Sequence, residues 1–389
     1  MQFIPYGKQN IDQNDIESVI NTLKSDYLTT GPKVKEFEDK ICEFTGAKYA
    51  VAVANGTAAL HIASLVLLNK GDRVLTTPNS FLATSNSILY VEAKPTFVDI
   101  SEDGNIDLDL CEIELKKDDS IKALYVVHFS GNPVNQKKLK YLQETYNIKI
   151  LEDCAHSIGA IDCEIKAGSC SNSDCSILSF HPVKHLTTGE GGAITTNSKE
   201  IYEKLLELRT HGMNRNVFIN ESMARDEKGN VNPWYYEMHS LGFNYRITDF
   251  QCALGLSQFQ KLDAFCERRK EIAKAYDKAF NNSIIKPLYV FDGKSSYHLY
   301  VVRVNFALVS ITKAELFNKM REKNIGLQLH YIPINKQPYY VSLGYGEEKT
   351  PIMDKYYEEC FSLPMYPALS DEEQNYVIKS LFEVLAIND

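Results

Sequence analysis

No apolar run in this chain is long enough to cross a membrane, and the opening stretch MQFIPYGKQNIDQND has no apolar core of a secretory leader. A soluble cytoplasmic protein is the expectation. Paired cysteines are missing too. The nine cysteines are scattered, none forms C-x-x-C, and Cys163, Cys170 and Cys175 lack zinc-site spacing, which reads as buried free thiols in a reducing compartment. Positive charge is not in excess: 42 Lys and Arg against 51 Asp and Glu leave a net charge of −9. That balance argues against broad binding of nucleic acid or an anionic membrane, but it allows a local pocket for a phosphate. Neither G-x-G-x-x-G nor the G-K-[ST] ending of a P-loop occurs, so dinucleotide and nucleoside-triphosphate readings find no support. His181 and His185 are four apart, yet Pro182 opposes a helix there and no H-E-x-x-H is present; no metal site is expected.

What remains is ordinary globular composition, 44% hydrophobic and 24% charged, in 389 residues, enough for two domains or three. Ile16, Val19, Ile20 and Leu23 predict an amphipathic helix over 12–25 with Asp12 at its start, and Val34, Phe37 and Ile41 predict another over 33–44. From Tyr49 the text alternates. Strands are predicted at 49–53, 73–77, 95–100, 121–127, 148–152 and 175–180, with helices at 58–68, 80–91 and 136–146 between them. Short apolar strands alternating with helices imply an α/β fold, a mostly parallel sheet covered on both faces. The polar stretch 211–238, with the only tryptophan, Trp234, reads as an excursion. A long helical segment over 248–280 then leads to a smaller α+β part, so the expected domains are 1–250 and 251–389. Ser370-Asp371-Glu372-Glu373 fits a capping box opening a last helix.

Three features fall at predicted strand ends, where open α/β sheets place ligands. Asn55-Gly56-Thr57 opens a helix and can cradle a phosphate on free N–H groups, or it is a plain turn. Asp153, closing the strand IKILED, is costly to bury without a positive partner, which a protonated ring nitrogen of a cofactor would supply; alternatively it caps the next loop. His156 lies three residues on. Lys184 sits in the turn of SFHPVKHLTTGEGG, after Ser179 and before glycines that read as room for cofactor and substrate. Alone it would be a surface lysine; desolvated, it can form a Schiff base. Phosphate cradle, acid and lysine on successive strand ends together favour pyridoxal-phosphate chemistry.

The blocks NGTAAL (55–60), EDCAHSIGA (152–160), SFHPVKHLTTGEGGAITTN (179–197), RTHGM (209–213) and GFNYRITDFQCALGLSQ (242–258) resemble the DegT/DnrJ/EryC1/StrS family of sugar aminotransferases. The resemblance implies a fold-type I, pyridoxal 5'-phosphate-dependent transferase. It makes Lys184 the Schiff-base lysine, Asp153 the partner of the ring nitrogen and His156 a neighbour of the ring. Phe81 falls where an aromatic stacks on the cofactor, and Gly56, Thr57 and Ser179 match phosphate-binding positions. Asn244 matches an asparagine that reaches the neighbouring subunit's cofactor phosphate, which implies a homodimer with composite sites. PYG (5–7), DGNIDLD (103–109), VHFSGNPV (127–134) and QLHYIPINKQPYY (328–340) are similar to the branch of the family that aminates C4 of a UDP-linked 2-acetamido-2,6-dideoxy-4-keto-hexose in pseudaminic acid biosynthesis. In that branch L-glutamate is the donor, and matches to Tyr6, to Asp26, Tyr27, Leu28 and Thr29, and to Gln328, Leu329, His330 and Tyr331 help hold the sugar nucleotide. Relatives that are dehydratases carry histidine at the lysine position; here Lys184 is present. A dTDP-linked or 3-keto sugar and a non-catalytic cofactor-binding regulator are the alternatives.

Overall fold

Apolar runs buried on both faces assemble a seven-stranded sheet in the computed structural model, which describes residues 2–386. Its strands are β1 (Tyr49–Val53), β2 (Arg73–Thr76), β3 (Lys94–Phe97), β4 (Ile121–Val127), β5 (Lys149–Asp153), β6 (Cys175–Ser179) and β7 (Gly192–Thr196). Their spatial order is β1-β7-β6-β5-β4-β2-β3. Neighbours from β6 to β3 run parallel, and β7 alone is antiparallel to the strands on either side of it. The expected mostly parallel α/β sheet is therefore present. Six of seven β4 residues and all five of β7 are buried, as strands covered on both faces require.

Helix starts follow local chemistry. Asp12 caps Gln13–Leu23 with a reciprocal capping box to Asp15, and Ser370 does the same with Glu373 for Asp371–Leu385. The sequence reading missed the helix Leu108–Lys117, capped by Asp107. The segment expected as one helix over 248–280 is two, Asp249–Phe259 and Leu262–Phe280, broken at Gln260-Lys261. The first packs on Gln13–Leu23 and Pro32–Thr45. Cys252, Phe259, Leu262 and Cys266 lie in the core beneath the large sheet, whereas Ile272, Tyr276 and Phe280 join a second core. That second core surrounds an antiparallel sheet of β8 (Lys286–Pro287), β9 (Tyr300–Arg303) and β10 (Cys360–Leu363). Near 325–328 the chain makes only isolated bridges, Ile4 with Ile325 and Gln328 with Ser362.

The 211–238 excursion holds a two-residue strand pair, Met213–Asn214 with Glu237–Met238, and the short helix Glu221–Ala224. It turns Ile219, Trp234 and Met238 to solvent. Among the described residues no helix is long and apolar enough to cross a membrane.

Candidate active site

β6 ends at Ser179 and β7 begins at Gly192, and the turn between them is tightly pinned. The Phe180 carbonyl accepts the Thr188 N–H at 3.0 Å and the Thr187 hydroxyl at 3.0 Å, while the Phe180 N–H donates to the Gly191 carbonyl at 2.9 Å. Lys184 sits within this turn, partly buried. Its amine is pushed down to about 8, because burial penalises the ammonium and Arg269 repels it, against the attraction of Asp153. A partly buried lysine that sheds its proton near pH 8 can serve as a nucleophile and a base.

Of the glycines after Lys184, Gly189 is exposed with open space beside it, whereas Gly191 and Gly192 do not make room for ligands, contrary to expectation. A Cβ on Gly192 would lie 2.6 Å from the Asn55 carbonyl carbon and 2.7 Å from the Gly56 nitrogen, and one on Gly191 would lie 2.1 Å from the Thr188 hydroxyl. Beside Gly192 the space is taken by the protein's own backbone, where β7 lies against the start of the helix Gly56–Leu67, and beside Gly191 by the Thr188 side chain. Gly192→Ala is expected to shift the Asn55–Gly56 peptide, lower stability by about 1–3 kcal/mol and weaken cofactor binding. Thermal melting with a cofactor titration checks this, and an unchanged affinity would show that the peptide has no part in the site.

Gly56 opens the helix Gly56–Leu67 and faces Ser179 at the end of β6. Asn55 accepts the Ala58 N–H on its side chain and the Ala59 N–H on its carbonyl, which leaves the N–H groups of Gly56 and Thr57 for a ligand. A Cβ at Gly56 would stand 3.2 Å from the Ser179 Cβ and 3.3 Å from its hydroxyl, so the two residues face each other closely and a side chain at 56 would crowd Ser179.

Asp153 ends β5, buried. Thr84 donates to its Oδ2 at 2.6 Å and the Ala155 N–H to its Oδ1 at 3.0 Å. It therefore caps its loop through the Ala155 N–H. Burial raises its pKa, and Thr84, Ala155, Lys184 and His128 each pull it back. Thr84 is itself set by Ser80, 2.9 Å away. Ser80 and Thr84 were missed in the sequence; their i, i+4 spacing in SFLATSN was the available signal.

Behind β5, Glu152 points to the opposite side and collects donors. Gln136 and Ser173 donate to it at 2.8 and 2.6 Å, and His128 Nε2 lies at 2.9 Å. His128 also fixes the strand end, its N–H donating to the Asp153 carbonyl at 3.1 Å. Its ring is held protonated well above the usual histidine range, the Cys154 and Glu152 interactions outweighing burial.

His156, buried, shares a hydrogen bond of 3.2 Å from Nε2 to the Tyr331 hydroxyl, with the two rings stacked. Tyr6 packs at 5.5 Å on His330, whose Nδ1 meets the Ser362 hydroxyl at 2.8 Å and whose carbonyl accepts from Tyr356 at 2.6 Å. Phe81, 60% exposed, approaches Tyr331 at 6.4 Å. Tyr6, His330, Tyr331, His156 and Phe81 thus form one continuous wall. Gln328 pairs with Ser362, and Leu329 packs in the adjoining core.

The remaining expected residues lie elsewhere on the chain. Leu28 accepts the Asp249 N–H at 2.9 Å and Thr29 bridges Thr248, so Asp26, Tyr27, Leu28 and Thr29 are fastened to the start of Asp249–Phe259, with Tyr27 and Leu28 exposed. Asn244, exposed, bridges Thr210. Between them Thr30, Gly31, Arg209 and Arg246 line a cavity of about 350 Å³. Among the described residues, none of these makes a hydrogen bond, bridge or ring contact with Lys184, Asp153 or the histidine wall.

The sequence profile described as the DegT/DnrJ/EryC1/StrS aminotransferase family matches residues 9–382. The chain belongs to this family. It is 38% identical to the UDP-4-amino-4,6-dideoxy-N-acetyl-beta-L-altrosamine transaminase of Campylobacter jejuni, over 98% of this chain and 97% of that one. Among solved structures it is similar to PseC of Helicobacter pylori, an aminotransferase involved in the biosynthesis of pseudoaminic acid, with a TM-score of 0.90, 29% identity, and 99% and 100% of the two chains covered. A putative sugar aminotransferase of Streptococcus pneumoniae, solved in its PLP-form, aligns with a TM-score of 0.87 and 28% identity over 99% of both chains.

Proposed function

We propose that this aminotransferase moves the amino group of L-glutamate to C4 of a UDP-linked 2-acetamido-2,6-dideoxy-4-keto-hexose, the step named for its Campylobacter relative, and does so with pyridoxal 5'-phosphate. The observation that carries the reading is end-to-end likeness to that transaminase, joined to a buried carboxylate, a low-pKa lysine and a helix start at Gly56 packed against Ser179.

The residues fit the cofactor. Gly56, Thr57 and Ser179 would hold its phosphate, Asp153 its ring nitrogen, Phe81 and His156 its ring, and Lys184 its aldehyde carbon. When bound, the group supplies an electron sink and carries the amino group between two half-reactions. Lys184, released as a free amine near pH 8, takes the proton from the donor carbon and later returns one to the sugar carbon. Asp153 keeps a proton on the ring nitrogen by its charge, oriented by Thr84 and Ala155. Tyr6 and Gln328–Tyr331 would position the sugar nucleotide.

The separation of Asp26–Thr29 and Asn244 from Lys184 within one chain supports a homodimer, acting in the cytoplasm, in which that second locus completes the partner's site. Co-refolded Lys184→Ala and Asn244→Ala chains are expected to recover part of the activity that either variant lacks alone, up to about a quarter of the sites being intact under random pairing. Mixed dimers no better than the parents would remove the composite site. The function itself is tested by incubating glutamate with a panel of UDP- and dTDP-linked keto sugars and identifying products by mass and NMR. Amination of a dTDP or 3-keto sugar in preference reassigns the substrate, and cofactor binding without nitrogen transfer to any sugar would favour the regulator.

A further inference from the structure

Among the described residues five histidines are buried, and four have a hydrogen-bond partner there: His128 with Glu152, His156 with Tyr331, His185 with the Ser296 carbonyl and His330 with Ser362. His298, 4% exposed, has none at either ring nitrogen, and its Nδ1 is fully buried. Its ring packs 4.3 Å from His156 and 5.7 Å from His185, the chain neighbour of Lys184. An unpartnered buried imidazole is costly unless a ligand satisfies it.

The backbone carrying this ring is held at a cost. Tyr297 has φ of 51°, a left-handed conformation that a bulky residue rarely adopts. Four contacts impose it. Ser296 N–H donates to the Gly131 carbonyl at 3.1 Å, and a Cβ at Gly131 would sit 2.9 Å from the His298 nitrogen. Ser296 also donates to the His156 carbonyl at 3.3 Å, and its own carbonyl meets His185 at 3.0 Å. Fully buried Arg269 donates to the carbonyls of Tyr297, His298 and Met365 and has no carboxylate partner among the described residues. A strained segment fixed from four directions, ending in an unpaired imidazole beside the lysine loop, is a built feature.

We propose that His298 is a substrate-contacting residue of the Lys184 site, donating its imidazole N–H to an oxygen of the bound substrate. This rests on the reading of that site as an aminotransferase centre. The oxygen belongs either to the donor's carboxylate or to the keto sugar, and burial beside Lys184, His156, His185 and Arg269 keeps the ring uncharged for either.

The test runs the two half-reactions of the holoenzyme separately, with L-glutamate alone and with the UDP-linked keto sugar alone, and adds calorimetric binding of 2-oxoglutarate. His298→Phe preserves the ring without its donor; it is expected to raise the KM in one half-reaction about 10-fold or more, with cofactor affinity and melting temperature held. His298→Gln, which restores an N–H, should recover part of the loss and covers the case in which phenylalanine does not fold. A defect with glutamate and 2-oxoglutarate assigns the carboxylate, and one with the sugar assigns a sugar oxygen. Wild-type constants for His298→Phe in both arms overturn the proposal. Glutamate turnover without sugar turnover in the wild-type protein would instead overturn the substrate reading and leave the glutamate arm decisive for His298.

Discussion

Lys184→Ala is expected to lose at least about 10²–10⁴-fold in turnover, the contribution of a positioned acid–base group, while still binding pyridoxal phosphate through Gly56, Thr57, Ser179 and Asp153. Borohydride reduction followed by peptide mass analysis should tag Lys184 in the parent and nothing at this position in the variant. The same amine gives a pH dependence of defined sign. An ordinary lysine sheds its proton near pH 10.4, whereas burial and Arg269 bring Lys184 to about 8. Covalent capture of the cofactor by the cofactor-free protein needs the neutral amine. It should therefore rise with pH and level off above about pH 8 rather than above 10. Turnover retained by Lys184→Ala, or a capture midpoint near 10, would remove Lys184 from the centre of the mechanism.

What the sequence made legible follows from how local each signal is. The strand runs, the caps at Asp12, Asn55 and Ser370, and the placement of Asp153, Ser179 and Lys184 at strand ends depend on a few neighbouring residues, and the pattern carries them. The purpose of Gly191 and Gly192 did not show, because the group filling the space beside Gly192 is the peptide of Asn55–Gly56, more than a hundred positions earlier. His298 was silent for the same reason: its neighbours His156 and His185 come from the other sheet's loops. The helix break at Gln260-Lys261 has no proline or glycine to announce it. Asp26–Thr29 and Asn244 were singled out by resemblance alone, and the fold gathers them at Thr248–Asp249 and Thr210, not at Lys184.

Asp153→Asn separates charge from shape at the same centre. Asparagine fills the carboxylate's volume and can still accept the Ala155 N–H, and the Thr84 hydroxyl, which has Ser80 as a second partner, can turn to accept from the new amide. The fold and the cradle should therefore survive, with little change in melting temperature. What is lost is the negative charge that holds a proton on the ring nitrogen, and turnover is expected to fall on the order of 10²–10³-fold, the scale of removing a group that stabilises charge formed during reaction. A second consequence runs through Lys184. Asp153 is the group that raises the lysine's pKa against burial and Arg269, so neutralising it disfavours the ammonium further. The midpoint of cofactor capture should move to lower pH in Asp153→Asn, while the maximal extent of capture stays that of the parent. An unchanged midpoint with impaired turnover would mean that the carboxylate acts on the cofactor without sensing the lysine. Turnover equal to the parent would show that Asp153 serves its loop alone, as a cap for Ala155.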